Sequence, residues 1–136
     1  MNYNLERFKK AQERDYPAAL TEIKNGHKET HWIWYIFPQL KELGYSSTAK
    51  YYGLTVDEAK AYIADDVLKS RLIEISEVLL NLNNNNATEV MGYPDDLKLK
   101  SSMTLFGEVA PEIDVFGKVL EKFFGGVKDE RTLELI

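Results

Sequence analysis

The chain has 136 residues, 17 basic against 22 acidic for a net charge of −5, with 44% apolar residues, 29% charged residues and no cysteine. That length suits one domain burying about two thirds of its unfolded surface, and the composition lies far from the disordered range. Disulfides, thiolate metal sites and cysteine nucleophiles are excluded. The acidic balance argues against duplex nucleic acid as a partner, and no stretch has the length and apolarity of a leader or a membrane span, so a soluble cytoplasmic protein is expected.

In chain order, Leu5, Phe8 and Ala11 recur at helical spacing. Asp15, Tyr16 and Pro17 then read as a cap and an early-turn proline opening a second helix, with Ala19, Leu20 and Ile23 on one face and Gly26 at its end. The segment from Leu43 to Leu54 predicts a turn and one or two helical turns, and Thr55 with Glu58 stands in capping-box register. Leu68, Leu72, Ile75, Leu79 and Leu82 make the most regular amphipathic pattern, expected to be the central pillar. Four consecutive asparagines, Asn83 to Asn86, predict a loop. Pro94, Asp95 and Asp96 suit a helix start, with Leu97, Leu99, Met103 and Phe106 as burial candidates. Pro111 is read as opening another helix, carrying Ile113, Val115, Phe116, Val119, Leu120, Phe123 and Phe124 and stopped by Gly125 and Gly126. A last short helix through Leu133 and Ile136 is expected to dock the chain end. With no hairpin, repeat or linker signal, residues 1–136 are predicted to be an all-α, single multihelical domain.

The stretch Thr30 to Leu40, THWIWYIFPQL, holds both tryptophans and one of two histidines. It is apolar all round whether read as strand or helix; without a partner strand, a short buried helix from near Thr30 to Pro38 is preferred. Trp32, Trp34 and Phe37 can each bury about 150 to 250 Å², so core packing competes with a binding role. His31 and Gln39 place donor and acceptor groups at the two ends of this element. Capping or bridging competes with catalysis for His31.

The run HKETHWIWYIFPQL, together with GYSSTAKYYGL, RLIEISEVLL, DDLKLKSSMTLF and FGKVLEKFFGG, resembles the family of domains of unknown function 1810. Two long motifs carry the resemblance, the His-Trp-x-Trp run at 31–39 and the Lys-Leu-x-Ser-Ser-Met-Thr-Leu-Phe run at 98–106, and it covers nearly the whole chain. It implies an all-helical single domain and assigns no activity. Asp65 and Asp66 stand where a histidine–proline pair is common in the family, whereas the His31 and Ser101 regions keep its pattern. The resemblance supports a shared site on His31, Trp32, Trp34, Gln39, Lys98, Ser101, Ser102 and Thr104.

In the second motif Lys98 and Ser101 or Ser102, three and four residues apart, share a helix face. A lysine with hydroxyls beside aromatic rings makes an anion cradle, although helical Ser and Thr are often bonded back to their own backbone. Lys100 is expected in solvent, and Arg71 is expected to pair with Glu74 or Glu58. His27 and His31 are four residues apart but lack the metalloprotease order, so no metal and no cofactor is expected. Three readings follow. The first is a binding module for a small anionic or nucleotide-like ligand, with Trp32, Trp34, Gln39, Lys98, Ser101, Ser102 and Thr104 as ligand-binding residues. The second is an enzyme using His31 as catalytic acid or base, and the third a protein-interaction domain presenting the aromatic stretch.

Overall fold

The computed structural model describes residues 3–136. Among these the chain is all-α, with one isolated bridge between Leu40 and Leu54 and no strand. Helix α1 runs from Glu6 to Lys24 without a break and buries Phe8, Ala11, Ala19 and Ile23. The expected restart at Asp15–Pro17 does not occur. Long-range bonds hold both halves in line: Gln12 Nε2 donates to the Tyr35 carbonyl at 2.8 Å and Tyr16 Oη to the Arg71 carbonyl at 3.1 Å, and such anchoring outweighs the lost amide donor of Pro17.

Helices α2 (Ile33–Ile36) and α3 (Ser47–Tyr51) flank a single 3-10 turn at Lys41–Leu43. Helix α4 (Val56–Ala64) begins with both capping-box bonds of Thr55 and Glu58 formed, as the sequence predicts. Helix α5 (Asp66–Leu80) packs between α1 and α8 (Val115–Phe124). Asp65 caps it, accepting from the Val67 and Leu68 amides, and pairs with Lys9 at 2.8 Å. Leu82 lies beyond its end.

The deepest element is α7, Asp95–Val109, with eight buried residues against five in α5. It touches α8, α4, α6 (Ala87–Met91), α9 (Glu130–Leu135) and α2. The pillar of the fold is therefore this polar-looking motif helix. Leu97 is not buried, being 48% exposed at the first turn. The asparagine tract is a loop that ends in a helix the sequence reading did not separate: the Asn86 side chain accepts from Glu89 N–H and caps α6. Helix α8 starts at Val115 rather than Pro111 and stops where Gly125 turns left-handed, φ 62°, a conformation glycine adopts without penalty. Leu133 and Ile136 remain exposed; Thr132, fully buried, anchors α9 instead, and the Asp129 amide before it bonds Thr104 Oγ1 at 2.9 Å. No helix of the described residues is long and apolar enough to cross a membrane.

An aromatic crevice beside Lys98

The site is built from the loop after α1. Glu22 sits in the last turns of α1, and its carboxylate accepts four bonds: Glu29 N–H at 2.8 Å, Thr30 N–H at 2.9 Å, Thr30 hydroxyl at 2.6 Å and Trp32 Nε1–H at 2.9 Å. Burial, the largest single influence, pushes this carboxyl up. The hydrogen bonds together outweigh it, led by those from Thr30, and hold it down at about 2. Because Glu22 takes the amides of Glu29 and Thr30, the chain is not helical there, bending at Thr30 and His31, and α2 starts at Ile33, later than Thr30. Trp32 is thereby drawn into the core, 1% exposed.

One short turn of helix then divides the aromatic run. Ile33, Ile36 and Phe37 join Trp32 in the core, Tyr35 points its hydroxyl at Asp15 of α1, and Trp34 is left partly exposed. Two backbone bonds, Leu54 N–H to Gln39 O at 3.0 Å and Lys41 N–H to Leu54 O at 2.9 Å, pin the segment after α2 against the end of α3. The approach needs Gly53, where a Cβ would lie 2.5 Å from Lys41 Cα.

Between these segments and the first turn of α7 lies a shallow crevice whose enclosed volume is about 10 Å³, room for one water. Ile33, Phe37 and Ala49 give it apolar walls, and Trp34, Gln39, Tyr52 and Lys98 complete its lining. The side chains of Trp34, Gln39 and Tyr52 hydrogen-bond to no other described residue. Burial pushes the Tyr52 phenol up, with Tyr51 adding to the shift, so it remains a protonated donor at neutral pH. Lys98 Nζ stands 5.3 Å from the Trp34 ring centroid and 3.4 Å from Asp95 Oδ1. Asp95 also pairs with Lys28 at 2.8 Å, and Lys28 Nζ bonds the Thr30 carbonyl at 2.5 Å and lies 4.9 Å from the Trp32 ring centroid.

Of the residues singled out from the sequence, Trp34, Gln39 and Lys98 meet in this crevice. The others lie elsewhere. His31 is exposed outside it, and its ring bonds to no described residue. Trp32 has its indole N–H committed to Glu22, so it cannot stack a ligand without repacking. Ser101 and Thr104 donate back to the Leu97 and Lys100 carbonyls at 3.1 and 2.8 Å, and Ser102 Oγ is buried with no partner. The helix enters the core one turn after Lys98, which separates those hydroxyls from the surface. Arg71 bonds Gln12 Oε1 at 3.3 Å and lies over Tyr16, in place of the expected carboxylate pair. Lys100 is half-buried near Phe124.

Sequence reasoning missed Glu22 and Lys28, whose partners lie across loops, and gave Asp95 the role of a helix start. The Asp95–Lys98 spacing of three was the one local signal for the ion pair. A wider hollow beside the asparagine tract is floored by Phe123 and Phe124, but the tract's side chains serve the loop: Asn84 Oδ1 accepts Asn86 N–H, and Asn85 Oδ1 accepts Lys122. Among the described residues no group of three or more His, Asp or Glu is placed to hold a metal.

Fold and crevice together define an all-helical domain whose recess forms where α2, the end of α3 and the start of α7 converge. The chain belongs to the DUF1810 family of proteins of unknown function, whose model matches residues 2–136. It is similar to the crystal structure of the conserved hypothetical protein Rv1873 from Mycobacterium tuberculosis, at 40% identity over 98% of this chain and 96% of that one, with a TM-score of 0.96. No curated protein matches the chain.

Proposed function

We propose that this chain is a binding module for a small ligand that carries a hydrogen-bond acceptor, held in the crevice between Trp34, Gln39, Tyr52 and Lys98. One observation carries the reading: side chains with polar ends from three separate segments line one apolar-walled recess, and three of these side chains make no hydrogen bond to another described residue. These three side chains are part-exposed, so water serves them in the free protein, and a few polar groups among apolar walls is the usual composition of a ligand site. A thermal-shift screen of anionic and neutral metabolites tests it, since a ligand at a hundred times its Kd adds about 2.7 kcal/mol to stability. The expected hit disappears in Lys98→Ala and in Gln39→Ala while both variants stay folded. Hits that survive both substitutions, or none across the panel, would refute the reading.

A further inference from the structure

We propose a second small-molecule site, in the open hollow beside the asparagine tract, that takes a free α-amino acid with an apolar side chain. Asp96 meets its ammonium, Lys100 its carboxylate, and Leu97, Phe123 and Phe124 its side chain. The hollow shares no lining residue with the crevice beside Trp34 and does not depend on it. Room comes first. The hollow measures about 650 Å³, within the roughly 300–1,000 Å³ of small-ligand sites, and a single amino acid is small against it. Its floor is apolar: Phe123 is buried, Phe124 half-buried, and Leu97 keeps 48% of its surface uncovered.

Charge comes next. Asp96 and Lys100 both line the hollow and stand four residues apart on α7, in the order, acid before base, that favours an ion pair. They do not form one, and neither has an ionic partner among the described residues. The Asp96 carboxylate accepts from the Thr88 hydroxyl at 2.6 Å and the Leu97 amide at 2.9 Å, which leaves each oxygen a lone pair. Lys100 Nζ lies 5.9 Å from the Phe124 ring centroid and donates to no described residue. The neighbouring charges are already answered. Asp95 pairs with Lys28 and Lys98, Glu89 accepts from the Asn84 and Asn86 amides, and Lys122 donates to the Leu82 carbonyl and Asn85 Oδ1.

One anion and one cation held apart over an apolar floor match a zwitterion. An ammonium and a carboxylate on one carbon lie about 3 Å apart. With a charge-assisted bond of about 2.8 Å at each end, they span up to about 8 Å, a gap that two side chains four residues apart on a helix can hold open. A monoanion would leave Asp96 facing it, a monocation would leave Lys100, and a longer peptide carries its two terminal charges too far apart.

The test titrates the full chain with L-leucine, N-acetyl-L-leucine, L-leucinamide and glycine at about pH 6.5, where the α-amino groups are charged, and at constant ionic strength. It follows the backbone amide resonance of Leu97, which is bonded to Asp96, with the Trp34 indole N–H as control. L-leucine should move Leu97 and leave Trp34 in place. It should bind about tenfold or more tighter than the N-acetyl compound, which lacks the cation, the amide, which lacks the anion, and glycine, which lacks the side chain. Lys100→Met should bring L-leucine down to the level of L-leucinamide and leave L-leucinamide unchanged. Asp96→Asn, which keeps an oxygen for the Thr88 hydroxyl, should likewise bring L-leucine down to the level of N-acetyl-L-leucine. If any of the three analogues binds as well as L-leucine, if L-leucine moves Trp34 instead of Leu97, or if no probe moves Leu97 in the folded protein, the assignment falls.

Discussion

The Glu22 carboxylate gives the sharpest prediction about what holds the site open. Replacing it with glutamine keeps the shape and removes the charge. The three N–H donors that converge on Oε1 can still find the amide oxygen, and the Thr30 hydroxyl, which donates to Oε2, can rotate to accept from the new amide nitrogen. What is lost is the preference for the anion. The folded carboxyl titrates at about 2 against an ordinary 4.5, a difference whose ceiling is about 3 kcal/mol. Solvent reaching the open side of the loop reduces it to about 1–2 kcal/mol. The sign follows from a folded pKa below the unfolded one: the contribution is complete above about pH 5 and fades as the pH falls toward 2, with about 40% left at pH 3. Urea unfolding of the wild type and Glu22→Gln across pH 7 to 3 should therefore show a gap that narrows steadily. A gap of constant size would mean that shape, and not charge, is what Glu22 supplies, and would refute the reasoning. Glu22→Ala should cost more, about 2–4 kcal/mol, because it orphans the buried Trp32 indole N–H as well.

The two tryptophans should separate in the same assay. Trp32→Ala is expected to cost about 3–5 kcal/mol as a core truncation, whereas Trp34→Ala, partly exposed, should cost about 1 kcal/mol; similar costs would contradict the burial. Ser102→Ala should be neutral or stabilise by up to about 1 kcal/mol, since Ser102 Oγ is buried without a partner and its removal ends an unpaid desolvation cost; a clear loss of stability would point to a bond this geometry lacks. Gly53→Ala should destabilise by about 2 kcal/mol or more, because the new Cβ meets Lys41 backbone at 2.5 Å, and should shift the indole resonance of Trp34 through the displaced crevice wall.

Local chemistry in this chain was legible where a structure is closed within one turn. The capping box of Thr55 and Glu58 and the start of α7 at Asp95 both follow from neighbours within four residues. Pro17 misled because the signal for a helix break is also local, while the bonds of Gln12 and Tyr16 that override it reach residues 23 and 55 positions away. Burial in α7 was underestimated for a related reason. Serines and threonines lower the apparent hydrophobicity of the motif, yet Ser101 and Thr104 satisfy themselves on the preceding turn and so enter the core at little cost.

The same physics accounts for which members of the aromatic motif reach the crevice. In a strand, positions two apart face the same way; in a helix they point to nearly opposite sides. Reading Thr30–Pro38 as helical while assigning both Trp32 and Trp34 to one ligand was therefore in tension from the start, and the fold resolves it with Trp32 inward and Trp34 outward. Lys98 meets Trp34 because α7 begins at the surface there, and Ser102, on the same helical face one turn deeper, cannot. Spacing along a helix places residues on a common side, but only packing against the neighbouring elements decides how far along that side solvent, or a ligand, can reach.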